Sequence, residues 1–323
     1  MILTSSLPDI PAFRSPSWCY NAHVHTIACS FLGGVPAPYQ ERVEIPTPDD
    51  DFLELDVISQ KNDKPVIALF HGLEGSSERY YMTELAQDLK EEGYSVVAMN
   101  FRSCGSRMNR QPRFYHSGET KDYATLFSWI EQKFPGKKIG AVGFSLGANA
   151  LLKSLGEEMG SHPADAAVAV SVPYDLRLGS INISQGFNRV YDYRFLRTLR
   201  RKLDEKRREY PELPRFDGST LYEFDDQVTS IIHGFEGAED YYARCSSRKF
   251  ITDIRKPTLM IHSDEDPLCP INGMPVDKIR DNPVLDYVIT DEGGHVGFRS
   301  EPRGWLNYVI FEYMQKILEP DRI

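Results

Sequence analysis

Ile139-Gly140-Ala141-Val142-Gly143-Phe144-Ser145-Leu146-Gly147-Ala148-Asn149 is an apolar run that breaks at a serine. Its first six residues read as a short buried strand and residues 148–156 as a helix, so the chain must turn sharply between them. The turn carries the GxSxG pentapeptide of residues 143–147. A strand that bends directly into a helix forces strained dihedrals on the central serine. Small flanking residues then let the two elements approach while the hydroxyl projects above the sheet. Taken without its context, the pentapeptide also fits an ordinary glycine-lined strand-to-helix turn.

The same alternation recurs on both sides of this stretch. Short apolar runs at 66–70, 94–99 and 166–172 are separated by helical stretches, and the rhythm returns with 257–262, 285–290 and a final helix over about 304–318. Met82, Leu85, Ala86 and Leu89 stand at three- and four-residue spacings, and Gly93 can end that helix. The expected fold class is α/β, a mostly parallel central sheet flanked by helices. Residues 41–45 and 53–58 alternate apolar with polar around a Pro-Asp-rich turn and predict an antiparallel hairpin at the sheet edge. Between 175 and 254 the rhythm is lost and Arg, Tyr and Phe accumulate, which predicts a helical cap inserted above the sheet. Residues 1–40, with prolines at 8, 11, 16, 36 and 38, predict an extended N-terminal arm.

Length and composition bound the rest. With 323 residues, 41% of them hydrophobic, the whole chain 1–323 can form one domain with an insertion. A net charge of −10 argues against nucleic acid as a partner, because binding phosphates needs a basic surface. Cys19, Cys29, Cys104, Cys245 and Cys269 are scattered and form no CxxC pair, so they read as reduced thiols. No basic segment precedes an apolar run at the start, and no run of about 18 apolar residues occurs. The expectation is a cytoplasmic protein without stable membrane insertion, acting on a small-molecule substrate that is neutral or apolar.

A serine hydroxyl is a weak nucleophile near neutrality and needs a general base oriented by a carboxylate. His295 lies in Gly293-Gly294-His295-Val296-Gly297-Phe298, a glycine-rich loop after the last strand and before the last helix. Three acids follow the strand at 257–262, and Asp266, directly before a Pro-apolar-x-Pro stretch, ranks ahead of Asp264 and Glu265. Asp264 can instead brace the turn. Donors for an oxyanion are expected from the backbone amides of Leu146, next to the nucleophile, and Leu73, in His71-Gly72-Leu73-Glu74-Gly75-Ser76. His71 itself reads as a loop anchor.

These motifs, together with Asn21-Ala22-His23-Val24-His25-Thr26-Ile27, Asn100-Phe101-Arg102-Ser103-Cys104-Gly105, Tyr115-His116-Ser117-Gly118-Glu119-Thr120 and Glu223-Phe224-Asp225-Asp226, span nearly the whole chain. The sequence resembles the YheT-like branch of the α/β-hydrolases, related to the eukaryotic abhydrolase-domain lipases and ester synthases. The resemblance implies carboxylesterase, lipase or acyl-transfer activity on fatty esters. Departures are Ala148 within Gly-Ala-Asn where the branch has Gly-Gly-Asn, Ser103 in place of a glycine, and His25 in place of a glutamine. If the arm lines the acyl pocket, His25 bears on substrate preference.

The reading is a serine esterase for short- to medium-chain acyl groups, with no cofactor and no metal. Phe187, Tyr191, Tyr193, Phe195, Phe235, Tyr241 and Tyr242 are candidates to wall an acyl tunnel or to pack the cap. An acyltransferase using an alcohol acceptor keeps the same chemistry. A non-catalytic lipid-binding module is disfavoured by the complete set of triad residues, and an aspartate-nucleophile enzyme by Ser145. His23 and His25 resemble an HxH metal pair without a third ligand. The basic run 197–208 reads as a solvated helix face in preference to a contact with anionic headgroups. His116 and Glu119 read as a loop brace.

Overall fold

The computed structural model describes residues 2–3, 10–32 and 34–320. The parts of the N-terminal arm at 1, 4–9 (with Pro8) and 33, and the last residues of the predicted domain, 321–323, lie outside the described residues. Among the described residues nine strands form one sheet: β1 (Ile2–Leu3), β2 (Glu41–Thr47), β3 (Asp51–Ile58), β4 (Val66–Phe70), β5 (Ser95–Asn100), β6 (Ile139–Phe144), β7 (Ala166–Val170), β8 (Thr258–Ser263) and β9 (Leu285–Thr290). Their order is β1-β9-β8-β7-β6-β4-β5-β3-β2. Strands β4 to β9 run parallel, whereas the β2–β3 hairpin joins β5 antiparallel and β1 joins β9 antiparallel. The run expected at 166–172 stops as a strand at Val170, and Ser171 turns to a φ of 52°.

The expectation of extended chain fails at α1 (Ala22–Leu32). Asn21 accepts the Val24 N–H on Oδ1 at 2.9 Å, in the manner of a helix cap. His25, Thr26 and Cys29 are buried, so docking of one face stabilises a helix whose sequence alone shows little periodicity.

The sheet is covered on both faces. α2 (Tyr80–Glu91), α3 (Lys121–Lys133) and α4 (Leu146–Glu158) are followed, between β7 and β8, by α5 (Leu176–Ile183), α6 (Arg189–Glu209), α7 (Leu221–Phe224), α8 (Ser230–His233) and α9 (Ala238–Cys245). α10 (Val276–Arg280) and α11 (Trp305–Leu318) complete the chain. Successive side chains of a strand point to opposite faces. Val66, Ala68 and Phe70 of β4 therefore join the core built with α3 and α4, and Ile67 and Leu69 the core built with α2 and α11. Burial on both faces is why these strands read as unbroken apolar runs rather than as alternating ones.

The connection from β5 to β6 crosses over β4, so the chain leaves β4 and β6 toward opposite sides of the sheet. Loops at their carboxyl ends diverge there and leave a crevice, the usual ligand position in an open α/β sheet. The His71–Ser76 loop and Ser145 both stand at this point.

Candidate active site

Ser145 joins β6 to α4 with φ 53° and ψ −120°. The positive φ is tolerated because its surroundings over-determine it. Its N–H donates to the Val170 carbonyl at 2.8 Å, and its carbonyl accepts the Asn149 N–H at 3.0 Å. A Cβ on Gly143 would stand 2.6 Å from Ala148 Cα, and one on Gly147 would stand 2.5 Å from the His71 carbonyl oxygen. Both positions admit only glycine, since α4 begins in contact with β6 and with the end of β4.

The hydroxyl of Ser145 meets His295 Nε2 at 2.8 Å, and His295 Nδ1 lies 2.9 Å from Asp266 Oδ2 and 3.1 Å from Oδ1. The carboxylate of Asp266 can only accept and the Ser145 hydroxyl can donate, which assigns the proton of the neutral ring to Nδ1 and leaves Nε2 as the acceptor. The structure thus brings Ser145, His295 and Asp266 into one hydrogen-bonded chain. Asp264 and Glu265 are exposed. Asp266 Oδ1 also accepts the N–H groups of Leu268 and Cys269, each at 2.9 Å. Burial raises the Asp266 pKa, but the charge and hydrogen bond of His295, the nearby His262 and the Cys269 amide outweigh it and hold the carboxyl below its ordinary value.

The His295 loop is held by three residues from distant parts of the chain. Thr26 Oγ1 accepts the His295 N–H at 2.9 Å, Ser171 Oγ accepts the Val296 N–H at 3.0 Å, and Tyr80 Oη donates to the Val296 carbonyl at 2.9 Å. Nothing in the local sequence marks these three. Ser171, just past β7, takes a positive φ, and only the fold reveals that its Oγ meets the Val296 N–H.

The loop after β4 is pinned as firmly. Gly72 N–H donates to Tyr81 Oη at 3.0 Å and Glu74 N–H to Tyr115 Oη at 2.7 Å. Among the described residues the amides of Leu73 and Leu146 donate to no protein acceptor. A Cβ on Gly72 would lie 3.1 Å from Ser145 Cβ, so the loop backbone passes directly over Ser145. His71 is fully buried: its Nδ1–H donates to the Gly72 carbonyl at 2.7 Å and its Nε2 accepts the Phe101 N–H at 3.1 Å. Burial pushes its pKa down to about 3. The ring is a neutral anchor, in keeping with the reading from sequence. Lys202 of α6 closes the arrangement by donating to Glu74 Oε1 at 2.8 Å.

Residues 65–302 match the family profile described as the alpha/beta hydrolase fold. The chain belongs to the α/β-hydrolase family. Among its relatives is YheT of Escherichia coli (strain K12), 37% identical over 295 residues, 87% of this chain and 86% of that one. A Saccharomyces cerevisiae protein named monoacylglycerol lipase is 30% identical over 271 residues, 80% of this chain and 59% of that one. The esterase Pf2001 of Pyrococcus furiosus superposes with a TM-score of 0.60 at 18% identity, covering 96% of this chain and all of that one, a likeness of fold.

In this α/β-hydrolase, Ser145 and His295 face an open cleft of about 440 Å³ lined also by Thr26, Ile27, Leu73, Tyr191, Arg194 and Phe195. An apolar recess of about 100 Å³ adjoins Ser145 and is lined by Leu176, Ile183, Leu221, Leu268 and Cys269. Asp225 and Tyr242 also line it, with Tyr242 Oη donating to Asp225 at 2.8 Å. Of the aromatic residues named from sequence, Tyr191, Phe195 and Tyr242 line the cavities at Ser145 and Tyr241 a neighbouring one, whereas Phe187 and Tyr193 are exposed, Tyr193 along an outer groove of α6.

His25 does not line the cleft of this hydrolase; it is buried and stacks on Phe13 with ring centroids 5.9 Å apart. Its sequence neighbours Thr26 and Ile27 take that place. His23 Nδ1 faces Tyr191 Oη at 3.2 Å, so the two histidines of the HxH pair sit in different surroundings. The described donors able to meet at one metal are Asp266, Cys269 and His295, whose ligand atoms lie within 4.8 Å of one another. In this arrangement both imidazole nitrogens already face Asp266 and Ser145. His116 Nε2 lies 3.7 Å from Glu119 Oε2, and Glu119 also receives Arg113 at 2.8 Å, which is a loop brace.

Proposed function

We propose that this α/β-hydrolase cleaves carboxylic esters of short- to medium-chain acyl groups through an acyl-enzyme on Ser145. The observation that carries the reading is the chain of short contacts Ser145 Oγ–His295 Nε2–Asp266, built on a strained elbow and opening onto a cleft. The names of its relatives, among them a monoacylglycerol lipase and phospholipases, point to the same chemistry.

Ser145 Oγ attacks the ester carbonyl carbon while His295 Nε2 takes the hydroxyl proton, and Asp266 stabilises the imidazolium and keeps its Nδ1–H in place. The carbonyl oxygen becomes an oxyanion between the Leu73 and Leu146 amides, which are free to donate there. Collapse breaks the bond to the alcohol oxygen, which leaves with the proton from Nε2. Water then gives a proton to His295 and its oxygen to the acyl carbon, releasing the acid and restoring Ser145. The recess, small and apolar beside Ser145, suits a short or medium acyl chain.

A series of p-nitrophenyl esters tests this: kcat/KM should rise with the first methylenes, each adding about 0.8 kcal/mol of buried surface, and fall for palmitoyl. Highest activity on palmitoyl esters would refute the bounded recess. Acyl transfer to an alcohol is a second reading, favoured by the open cleft beside Ser145 and by a yeast relative, 29% identical, named medium-chain fatty acid ethyl ester synthase/esterase 2. Ethyl ester formed in ethanol, measured against free acid, separates the two.

A further inference from the structure

Large apolar side chains are not exposed at random on this molecule. Of the ten that are exposed among the described residues, seven fall in two short segments, 18–35 and 187–193. Tyr20, Phe31 and Tyr193 are 79%, 76% and 70% exposed. The two segments meet: His23 packs edge-on against Phe187 with ring centroids 4.7 Å apart and touches Tyr191 Oη. Between them lies the mouth of the cleft, to which the first segment contributes Thr26, Ile27 and Val35 and the second, with its continuation, Tyr191, Arg194 and Phe195. A clustered apolar rim around an opening marks an interaction surface, whereas single exposed apolar residues need no account.

The rim continues into a basic stripe. α6 carries nine Lys and Arg against four Asp and Glu, a local excess of +5 in a chain of net charge −10. Val190, Tyr193, Arg197, Arg201 and Arg208 recur at three-, four- and seven-residue spacings and are all exposed, so they share one face of the helix. Asp204 and Glu205 interrupt that face without reversing its sign. Among the described residues Arg189, Arg194, Arg197, Arg201 and Arg208 close no ion pair. Aromatic side chains beside unpaired arginines are the composition that lies in a headgroup layer. No described helix is long and apolar enough to cross a membrane.

We infer that this face docks reversibly on an anionic lipid surface, with segments 18–35 and 187–193 in the headgroup region and the arginines of α6 against the negative charge. The cleft mouth then opens onto the lipid. The surface requires no activity of Ser145, so its test reads binding alone.

The full chain is sedimented with vesicles of phosphatidylcholine alone or mixed with phosphatidylglycerol. Binding to the mixed vesicles should be at least about tenfold tighter and should weaken as salt rises, because each surface arginine contributes about fivefold. Arg197→Glu with Arg201→Glu should cost at least about tenfold on the mixed vesicles, and Phe31→Ser with Tyr193→Ser should weaken binding at any salt. None of these four residues lines the cleft, so the variants should keep wild-type melting temperatures and wild-type turnover of a soluble p-nitrophenyl ester. Equal binding to the two vesicle types, or wild-type binding by both variants, would overturn the inference. So would a dimer that the same substitutions dissolve, because the face would then belong to a second copy of the chain.

Discussion

Thr26 Oγ1 accepts the backbone N–H of His295 at 2.9 Å and donates its own hydrogen to the Ala22 carbonyl at 2.7 Å. A hydroxyl on α1 thus sets the height of a loop 269 residues away. Thr26→Val keeps the shape and removes the acceptor, leaving a backbone N–H unpaired at a cost of about 1–3 kcal/mol. Thr26 is a positioning residue, so kcat should fall about tenfold, the equivalent of about 1.4 kcal/mol, with KM nearly unchanged, and Thr26→Ser should restore it. A loss confined to KM would show instead that Thr26 acts on substrate in the cleft.

Ser145 should separate activity from stability. Ser145→Ala should fold normally and lose at least about three orders of magnitude in kcat. Ser145→Gly should be equally inactive yet more stable by about 1 kcal/mol, because glycine adopts the φ of 53° without strain. Thermal melts of the two variants check this, and a Ser145→Gly protein less stable than Ser145→Ala would mean that the elbow stores no strain.

The two aspartates of the turn after β8 should differ sharply. Asp266→Asn should cost about four orders of magnitude in kcat, since an amide cannot hold the Nδ1–H tautomer against a developing imidazolium. Asp264→Asn, on the exposed side of the turn, should stay near wild type. Stability follows its own sign: the lowered pKa of Asp266 contributes stability above about pH 4, where the unfolded carboxyl is ionised, and this is lost as pH falls through the folded value. The melting difference between wild type and Asp266→Asn should therefore shrink in acid. Equal activity losses for the two variants would move the acid role away from Asp266.

Asp225 gives the opposite pH dependence. Burial pushes its carboxyl up to about 6 despite hydrogen bonds from Tyr242 and Thr229, with the charge of Asp192 acting in the same direction as burial. The folded state holds this proton more tightly than the unfolded one, so the stabilisation is full below about pH 4 and lost as pH rises through about 6. Asp225→Asn should gain on wild type across that window by on the order of 2 kcal/mol. Melting curves that remain parallel from pH 4 to about pH 7 would show that the carboxyl carries no such penalty.

The sheet and its elbow were legible from sequence because both leave local marks. Strands buried on two faces are apolar at most positions, which is why 66–70, 139–144 and 285–290, the last broken only by Asp286 and Thr290, match the observed strands residue for residue. A strand-to-helix turn this tight must be flanked by residues without side chains, hence Gly143 and Gly147. The histidine loop is marked in the same way, since its backbone approaches Thr26 and His25 so closely that Cβ atoms on Gly294 and Gly297 would lie 2.5 Å from Thr26 Oγ1 and 3.1 Å from the His25 carbonyl oxygen.

What sequence could not decide depends on residues that meet only after the crossover connections close. α1 gains its helix from docking rather than from periodicity, and the proline-rich arm gives no sign of it. Three acids after β8 offered the same chemistry, and burial of one against His295 is what distinguishes Asp266. Aromatic residues on the helices between β7 and β8 looked alike in the chain, yet Phe195 and Tyr242 line cavities while Phe187 and Tyr193 face outward. A helix pattern tells which residues share a face, but which face meets the cleft is decided by the packing of α6 against α1 and the loop after β4.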